Sequence, residues 1–331
     1  MHWVSMGNSC LTLVFFRIKM IDNLENPVSI SKTDFYGLKP VLSMLLISVV
    51  YLLFSAYLVG FRSDQVLLVV LTNAFYFFSE ATRKFITAFS IFIVYWILFD
   101  YMKAFPNYNY NTVHIKSLYD LEKSVFGIHT GTSFITPNEY WIQHQNSFLD
   151  VMSGLFYLTW IPLPLSLAGY LFFKNRMQFF YFAFTFLLVN MIGFVIYYLY
   201  PAAPPWYSQQ YGFEFIANTR GNTAGLARFD AFFNVGIFKS IYEKSSNVFA
   251  AMPSLHSSYP LIALYYAIRS KVSWSLALVI GITMPGIWFA AVYTSHHYVL
   301  DVLAGITCAI IGIIIVNFIA LRRSGRQQQH S

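Results

Sequence analysis

Apolar runs separated by short polar breaks set the rhythm of this chain. They fall near residues 40–60, 65–80, 84–102, 148–173, 177–200, 249–269, 272–293 and 298–320. Several approach the roughly 20 residues that a helix needs to cross a bilayer; the 65–80 run is the weakest, short and closed by Glu80. The pattern predicts an all-α, polytopic integral membrane protein with about eight transmembrane helices. A cytoplasmic N-terminal segment over 1–37, one transmembrane domain over 38–321 and a polar cytoplasmic tail over 322–331 complete the expected organisation. No internal repeat or linker interrupts it.

The polar breaks are not alike. Lys39, Arg83/Lys84, Lys174/Arg176, Arg269/Lys271 and Arg322/Arg323/Arg326 fall on one face if the helices alternate, and the positive-inside rule makes that face cytoplasmic. The opposite face receives two long loops, about 103–147 and 201–248, and the short turn 294–297. Loops of that length are usually functional or carry small helices of their own.

Composition agrees with this reading and narrows the partners. The chain is 57% hydrophobic and 11% charged, too much apolar surface for a soluble domain of this length to hide. The net charge of +7 is spread over short clusters between apolar runs, so it suggests no nucleic-acid partner. Cys10 and Cys308 are the only cysteines, which leaves no disulfide framework or thiolate metal site. Residues 1–37 lack the pattern of a cleavable signal, and Met20 could equally be the true start.

The candidate chemistry sits in two stretches where apolar runs begin: Met252-Pro253-Ser254-Leu255-His256-Ser257-Ser258 and Thr294-Ser295-His296-His297-Tyr298-Val299-Leu300-Asp301. His297 and Asp301 are four residues apart and share one helix face. An aspartate accepting from one ring nitrogen fixes the imidazole tautomer and leaves the other nitrogen free to attack. The plainer alternative is an acid capping its own first helical turn beside an interfacial histidine. His256 and His297 both lie near helix N-termini at similar depth, where unpaired N–H groups and the positive dipole end favour a phosphate. With a phosphoryl group between them, His297 would attack phosphorus in line and His256 would serve as acid and then base. Ser254 reads as a helix cap or a phosphate ligand, capping preferred, and His296 as structural. The His114/His129/His144 scatter, with Asp100 and Asp150 nearby, matches no helical ligand pair, so no metal is expected.

Pro253-Ser254-Leu255-His256 and His297-Tyr298-Val299-Leu300-Asp301 resemble the second and third signatures of the lipid phosphatase/phosphotransferase superfamily typified by type 2 phosphatidic acid phosphatases. Pro204-Pro205-Trp206-Tyr207, Ala224-Gly225-Leu226-Ala227-Arg228-Phe229-Asp230, Pro253–Ser257 and Thr294–Tyr298 resemble, in order, blocks of its inositol phosphorylceramide synthase branch. The resemblance implies a six-helix core, a phosphohistidine formed on His297, support from Asp301, acid/base work by His256 and no metal or other cofactor. It also implies a reaction: phosphoinositol moves from phosphatidylinositol to a ceramide-like acceptor, and diacylglycerol leaves. Hydrolysis of a phospholipid or lipid pyrophosphate at the same site is the alternative.

The superfamily's first signature, a Lys and an Arg followed by Pro, has no clean match. The Pro-Pro-Trp-Tyr block stands in its place, so another group must meet the phosphate charge. Arg228 is the candidate, able to grip with two donors; a pair with Asp230 or a lipid headgroup is the competing role. Arg220 and Lys239 are weaker candidates in the same loop. Trp206 and Tyr207 could line the headgroup site or anchor the chain at the interface. A transporter would carry ionisable residues near helix midpoints, whereas here acids and histidines sit at one edge. The loops hold no Asn-x-Ser/Thr site, which leans toward a bacterial inner membrane with a periplasmic site rather than a Golgi lumenal one.

Overall fold

Every one of the eight apolar runs is helical in the computed structural model, which describes residues 36–131, 133–242 and 247–328. Most of the expected 1–37 segment and the last three residues of the tail lie outside those residues. The helices are α1 (Leu38–Val59), α2 (Ser63–Phe78), α3 (Glu80–Tyr101), α4 (Lys116–Phe126), α5 (Pro137–Gln143), α6 (Ser147–Leu158) and α7 (Pro162–Lys174). They continue with α8 (Arg176–Leu199), α9 (Pro205–Tyr211), α10 (Ala227–Phe233), α11 (Ile237–Tyr242), α12 (Leu255–Arg269), α13 (Trp274–Tyr293) and α14 (Val299–Gln328). A two-stranded antiparallel hairpin, β1 (Ile128–Thr130) and β2 (Ser133–Ile135), pairs His129 with Phe134.

Among the described residues, six segments are long and apolar enough to cross a membrane: Leu38–Val59, Glu80–Ala104, Ser147–Lys174, Arg176–Leu199, Trp274–Tyr293 and Val299–Arg322. Two of the expected spans are shorter. The α2 helix has 16 residues and α12 has 15, so they rise only about 24 and 22 Å at 1.5 Å per residue. The expected 249–269 span loses its first turns because Pro253 precedes the start of the helix, where its ring restricts the residue before it. The 148–173 span is broken at Thr159–Ile161, just ahead of Pro162 and Pro164. Leu45, Leu46 and Leu53 on α1, Val279 and Ile282 on α13, and Ile310, Ile314 and Phe318 on α14 are exposed. Bands of large aliphatic side chains on helices this long belong in lipid, and the protein is an integral membrane protein.

By contact the chain divides after Ile93 into two compact units. In the first, Asn73 of α2 donates to Ser48 of α1 at 2.9 Å, and Arg83 donates to the Tyr76 carbonyl at 3.0 Å. The second unit holds every candidate site residue. There α12 packs against α8, α13 and α14, α8 also packs on α14, and α6 packs on α13. Without water in the bilayer there is no hydrophobic drive between helices, so close approach at small residues does the work. Gly305 shows how close: a Cβ there would stand 2.0 Å from the Ser254 carbonyl oxygen.

The two long loops fold over the end of this bundle where α8 stops and α12 and α14 start. Ala202 bridges His114 on one side and Ala250 on the other, and the Trp206 N–H donates to the Ser295 carbonyl at 3.0 Å. The first loop is not structureless, since it contains α4, the hairpin and α5.

Candidate active site

The turn between α13 and α14 is closed by hydrogen bonding. The N–H groups of His296 and His297 both reach the Ala291 carbonyl, at 3.1 and 3.0 Å, as at a helix end wrapped by a left-handed residue. Ser295 is that residue, with φ 59°, a conformation that costs a non-glycine about 1 kcal/mol or more. The turn delivers His297 to the start of α14, one turn before Asp301. The Ser254 N–H donates to the Asp301 carbonyl at 2.9 Å, which fixes the start of α12, and with it His256, against the start of α14.

His256 Nδ1 and His297 Nε2 are 3.1 Å apart. His297 Nδ1 is 3.0 Å from the Ala251 carbonyl oxygen, which can only accept, so Nδ1 carries the proton and Nε2 presents its lone pair. His256 Nδ1 is then the donor between the rings. Asp301 Oδ2 lies 3.6 Å from His297 Nδ1, just outside hydrogen-bonding reach. It accepts instead from the Tyr298 N–H at 2.8 Å, while Oδ1 is buried without a partner among the described residues. The arrangement differs from the expected direct Asp–His bond. A carbonyl sets the tautomer, and the wholly buried carboxylate acts on the ring through its charge at short range.

Aromatic rings wall the pair. Trp160 stands edge-on to His256 with centroids 4.5 Å apart, and Tyr157 is tilted against it at 5.2 Å. His296 stacks on Tyr242 at 4.4 Å, and its Nε2 meets the Thr223 carbonyl at 3.1 Å. Burial, reinforced by His297 beside it, holds His296 down to about 3, so its ring stays neutral. No cluster of three His, Cys, Asp or Glu side chains among the described residues is arranged to hold a metal ion.

The phosphate charge cannot be met by both helix starts in the way the sequence suggests. At α14 the N–H groups are taken: Tyr298 by Asp301, and Val299 and Leu300 by the two oxygens of Glu122 at 2.9 and 3.1 Å. The four unpaired donors of a helix start invite an anion, but here the protein supplies the anions. The α12 start has no such carboxylate among the described residues. Ser254 occupies its cap position, yet its side chain makes no cap bond and accepts instead from the Ser257 hydroxyl at 3.1 Å.

Arg228 does not pair with Asp230. Its Nε donates to Asp150 Oδ1 at 2.5 Å, an oxygen that also accepts from the Tyr293 hydroxyl at 2.8 Å. Its Nη2 is buried without a partner among the described residues, and Gly225, whose N–H donates to the Thr294 carbonyl at 2.9 Å, lies against both Nη atoms. Asp230 is occupied elsewhere, accepting from the N–H groups of Phe238 and Lys239 at 3.2 and 2.9 Å. Trp206 and Tyr207 are buried in the loop's own apolar cluster with Ile115, Ala203, Val248 and Phe249. The Tyr207 hydroxyl is spent on the Glu214 carbonyl and the Ile216 N–H, both at 2.8 Å. Both rings are thus engaged in the packing of the loop.

Sequence reasoning missed Glu122, Asn138, Tyr157 and Trp160, and it weighed Asp150 only as a metal ligand, not as the partner of Arg228. Glu122 carried one readable signal: it follows Leu118 by four residues on the buried face of α4, and an acid on an apolar helix face needs a partner.

The sequence profile described as the PAP2 superfamily matches residues 117–315. The phosphoinositol dihydroceramide synthase of Bacteroides thetaiotaomicron is 45% identical over 275 residues, covering 83% of this chain and 90% of that protein. The inositol phosphorylceramide synthase catalytic subunit of Schizosaccharomyces pombe is 33% identical over 128 residues, 38% of this chain and 30% of that one. Its Saccharomyces cerevisiae counterpart is 28% identical over 221 residues, 64% of this chain and 52% of that one. No solved structure matches.

Proposed function

The chain belongs to the PAP2 superfamily, and from that premise we propose that it is a lipid phosphotransferase moving phosphoinositol from phosphatidylinositol to a ceramide or dihydroceramide. The observation that carries the reading is the pair of histidine rings 3.1 Å apart beside a buried aspartate, in a chain 45% identical to a phosphoinositol dihydroceramide synthase.

His297 Nε2, whose lone pair faces His256, is the nucleophile. The phosphodiester enters between the rings and replaces the hydrogen bond that joins them. His256, carrying a second proton in the presence of the lipid's negative charge, gives that proton to the departing diacylglycerol oxygen as the N–P bond forms and the P–O bond breaks. It then takes a proton from the ceramide hydroxyl, whose oxygen attacks phosphorus and releases His297, so protons balance over the cycle. Asp301 stabilises the positive charge on the His297 ring, and the Ala251 carbonyl holds its tautomer. Arg228 lies beside the turn across Gly225, with one Nη left to meet a phosphate oxygen.

Burial of His297 and Asp301, with Trp160 and Tyr157 against His256, favours transfer over hydrolysis because water is kept from the phosphoenzyme. The basic ends Lys174/Arg176 and Arg269/Lys271 lie at the opposite ends of α7, α8, α12 and α13 from the site, which supports a non-cytoplasmic face for the chemistry, periplasmic in a bacterium.

The test uses purified protein in detergent with inositol-labelled phosphatidylinositol, with and without dihydroceramide and no added metal. Label moving into a base-stable lipid only when dihydroceramide is present is the expected result. Water-soluble inositol phosphate released at the same rate in both tubes would make the protein a hydrolase.

A further inference from the structure

Glu122 is wholly buried, and the transfer chemistry gives it nothing to do. It sits on α4 in the first long loop, 177 residues before the backbone it holds. Its two oxygens accept from the N–H groups of Val299 and Leu300, donors in the first turn of α14 that have no partner within the helix. Among side chains only a carboxylate offers two acceptor oxygens, one for each N–H, and its negative charge suits a helix start.

Asn138, from the same loop, grips the other side of the turn. Its Nδ2 donates to the Val292 carbonyl at 2.8 Å and to the His297 carbonyl at 2.9 Å. The loop thus holds backbone on both sides of His297, at the end of α13 and at the start of α14. We propose that Glu122 is a positioning residue for the phosphotransfer: with Asn138 it fixes the turn that sets His297 against Asp301 and against His256. This rests on the transfer reading above.

The arrangement carries a pH dependence. Burial pushes the Glu122 carboxyl up to about 7, with the nearby Asp301 adding to the rise and the Val299 and Leu300 N–H groups opposing it. Besides Asp301, the Tyr298 phenol lies within its field, and among the described residues no cation is paired with it. Above about pH 7 both oxygens accept and the grip is whole. Below it the protonated oxygen accepts poorly and one N–H is released. Stability runs the other way. A carboxyl raised above its ordinary range contributes stability at low pH that is lost as pH rises through about 7.

The experiment compares wild type, Glu122→Gln and Glu122→Asp from pH 5.5 to 8.5, with Asp120→Asn, an exposed acid on the same helix, as control. Phosphatidylinositol and dihydroceramide are the substrates. At pH 8 the Gln variant should lose about tenfold in kcat with KM within about twofold, because its amide N–H faces a backbone donor. The ratio of wild-type to Gln kcat should shrink below pH 6.5, and the wild-type Tm should fall between pH 6 and 8 more than the Gln variant's. The Asp variant should keep the pH response with a smaller loss, and it decides the matter if the Gln variant does not accumulate. A Gln variant as fast as wild type, or slowed equally at every pH, overturns the proposal. If wild type itself does not turn over, the transfer reading has failed. Amide exchange then judges the grip: faster exchange at Val299 and Leu300 in the Gln variant upholds it, and unchanged exchange overturns it.

Discussion

The starts of α12 and α14 look like twins in the sequence. Each follows a polar turn, each brings a histidine to the same end of the bundle, and each should offer bare N–H groups to a phosphate. In the structure they have opposite characters. The α14 start is filled by the protein's own carboxylates, Asp301 on Tyr298 and Glu122 on Val299 and Leu300. At the α12 start no acid accepts from the first turn among the described residues, and its cap serine faces another serine. One helix start is held by the protein's own acids; under the proposed mechanism the other would meet the phosphate. That division suits a reaction in which a fixed nucleophile meets an incoming anion beside an acid/base.

The largest effects should come from the held end. His297→Ala removes the nucleophile and Asp301→Ala the charge beside it, and each should lower turnover by at least about a thousandfold while the protein remains folded in detergent. Near-normal transfer by a folded His297→Ala protein would sink the mechanism. The loss in Asp301→Asn should be smaller than in Asp301→Ala if the Tyr298 N–H contact matters as well as charge, since the amide oxygen can still accept it.

Next comes the place where the two helix starts meet. Gly305 lets the α14 backbone come within touching distance of Ser254, and a methyl group there would stand 2.0 Å from the Ser254 carbonyl. Gly305→Ala must push the two starts apart, at a cost of roughly 1–3 kcal/mol in stability, and should lower turnover by more than that loss of folded protein accounts for. Full activity in detergent would mean that the spacing between His256 and His297 does not depend on this contact.

Much of this was open to sequence reading, and the reasons are physical. Long apolar runs cannot be hidden anywhere but in lipid, so the helices were legible, though Pro253 shortened α12 and Pro162 broke the 148–173 span. The spacing of His297 and Asp301 was weak by itself; the ordered blocks around them and around His256 singled the three residues out, and the fold brings them together. The partners of those residues were not legible. Ala251 holds the His297 tautomer through a backbone carbonyl, which has no sequence signature. Asp150 and Arg228 are 78 positions apart, and Glu122 looks like Asp120 until the fold buries one and leaves the other exposed.

Arg228 sharpens the comparison from outside the two helices. If the α12 start alone meets the phosphate, Arg228 serves only to hold Asp150 and the end of α13. Lysine keeps the charge but lacks the planar fork that can reach Asp150 and a phosphate together. Arg228→Lys should therefore cost about tenfold in kcat/KM if the free Nη meets phosphate, equivalent to about 1.4 kcal/mol. An unchanged rate with a lowered Tm would remove Arg228 from the site and leave it a structural role.

The smallest expected effect lies at the receiving end itself. Ser254 occupies the cap position of α12, but its backbone does the linking: the N–H goes to the Asp301 carbonyl at 2.9 Å and the carbonyl accepts from the Ser257 N–H at 3.2 Å. Its hydroxyl caps no N–H and only accepts from Ser257. Ser254→Ala should then cost about 1 kcal/mol or less, the worth of one buried hydrogen bond, and leave kcat and KM within about threefold. A tenfold rise in KM with Tm unchanged would show that the hydroxyl turns to the phosphate when lipid is bound. The α12 start would then receive its anion through a side chain, and the contrast with α14 would rest on which groups bind charge rather than on whether the helix start is free.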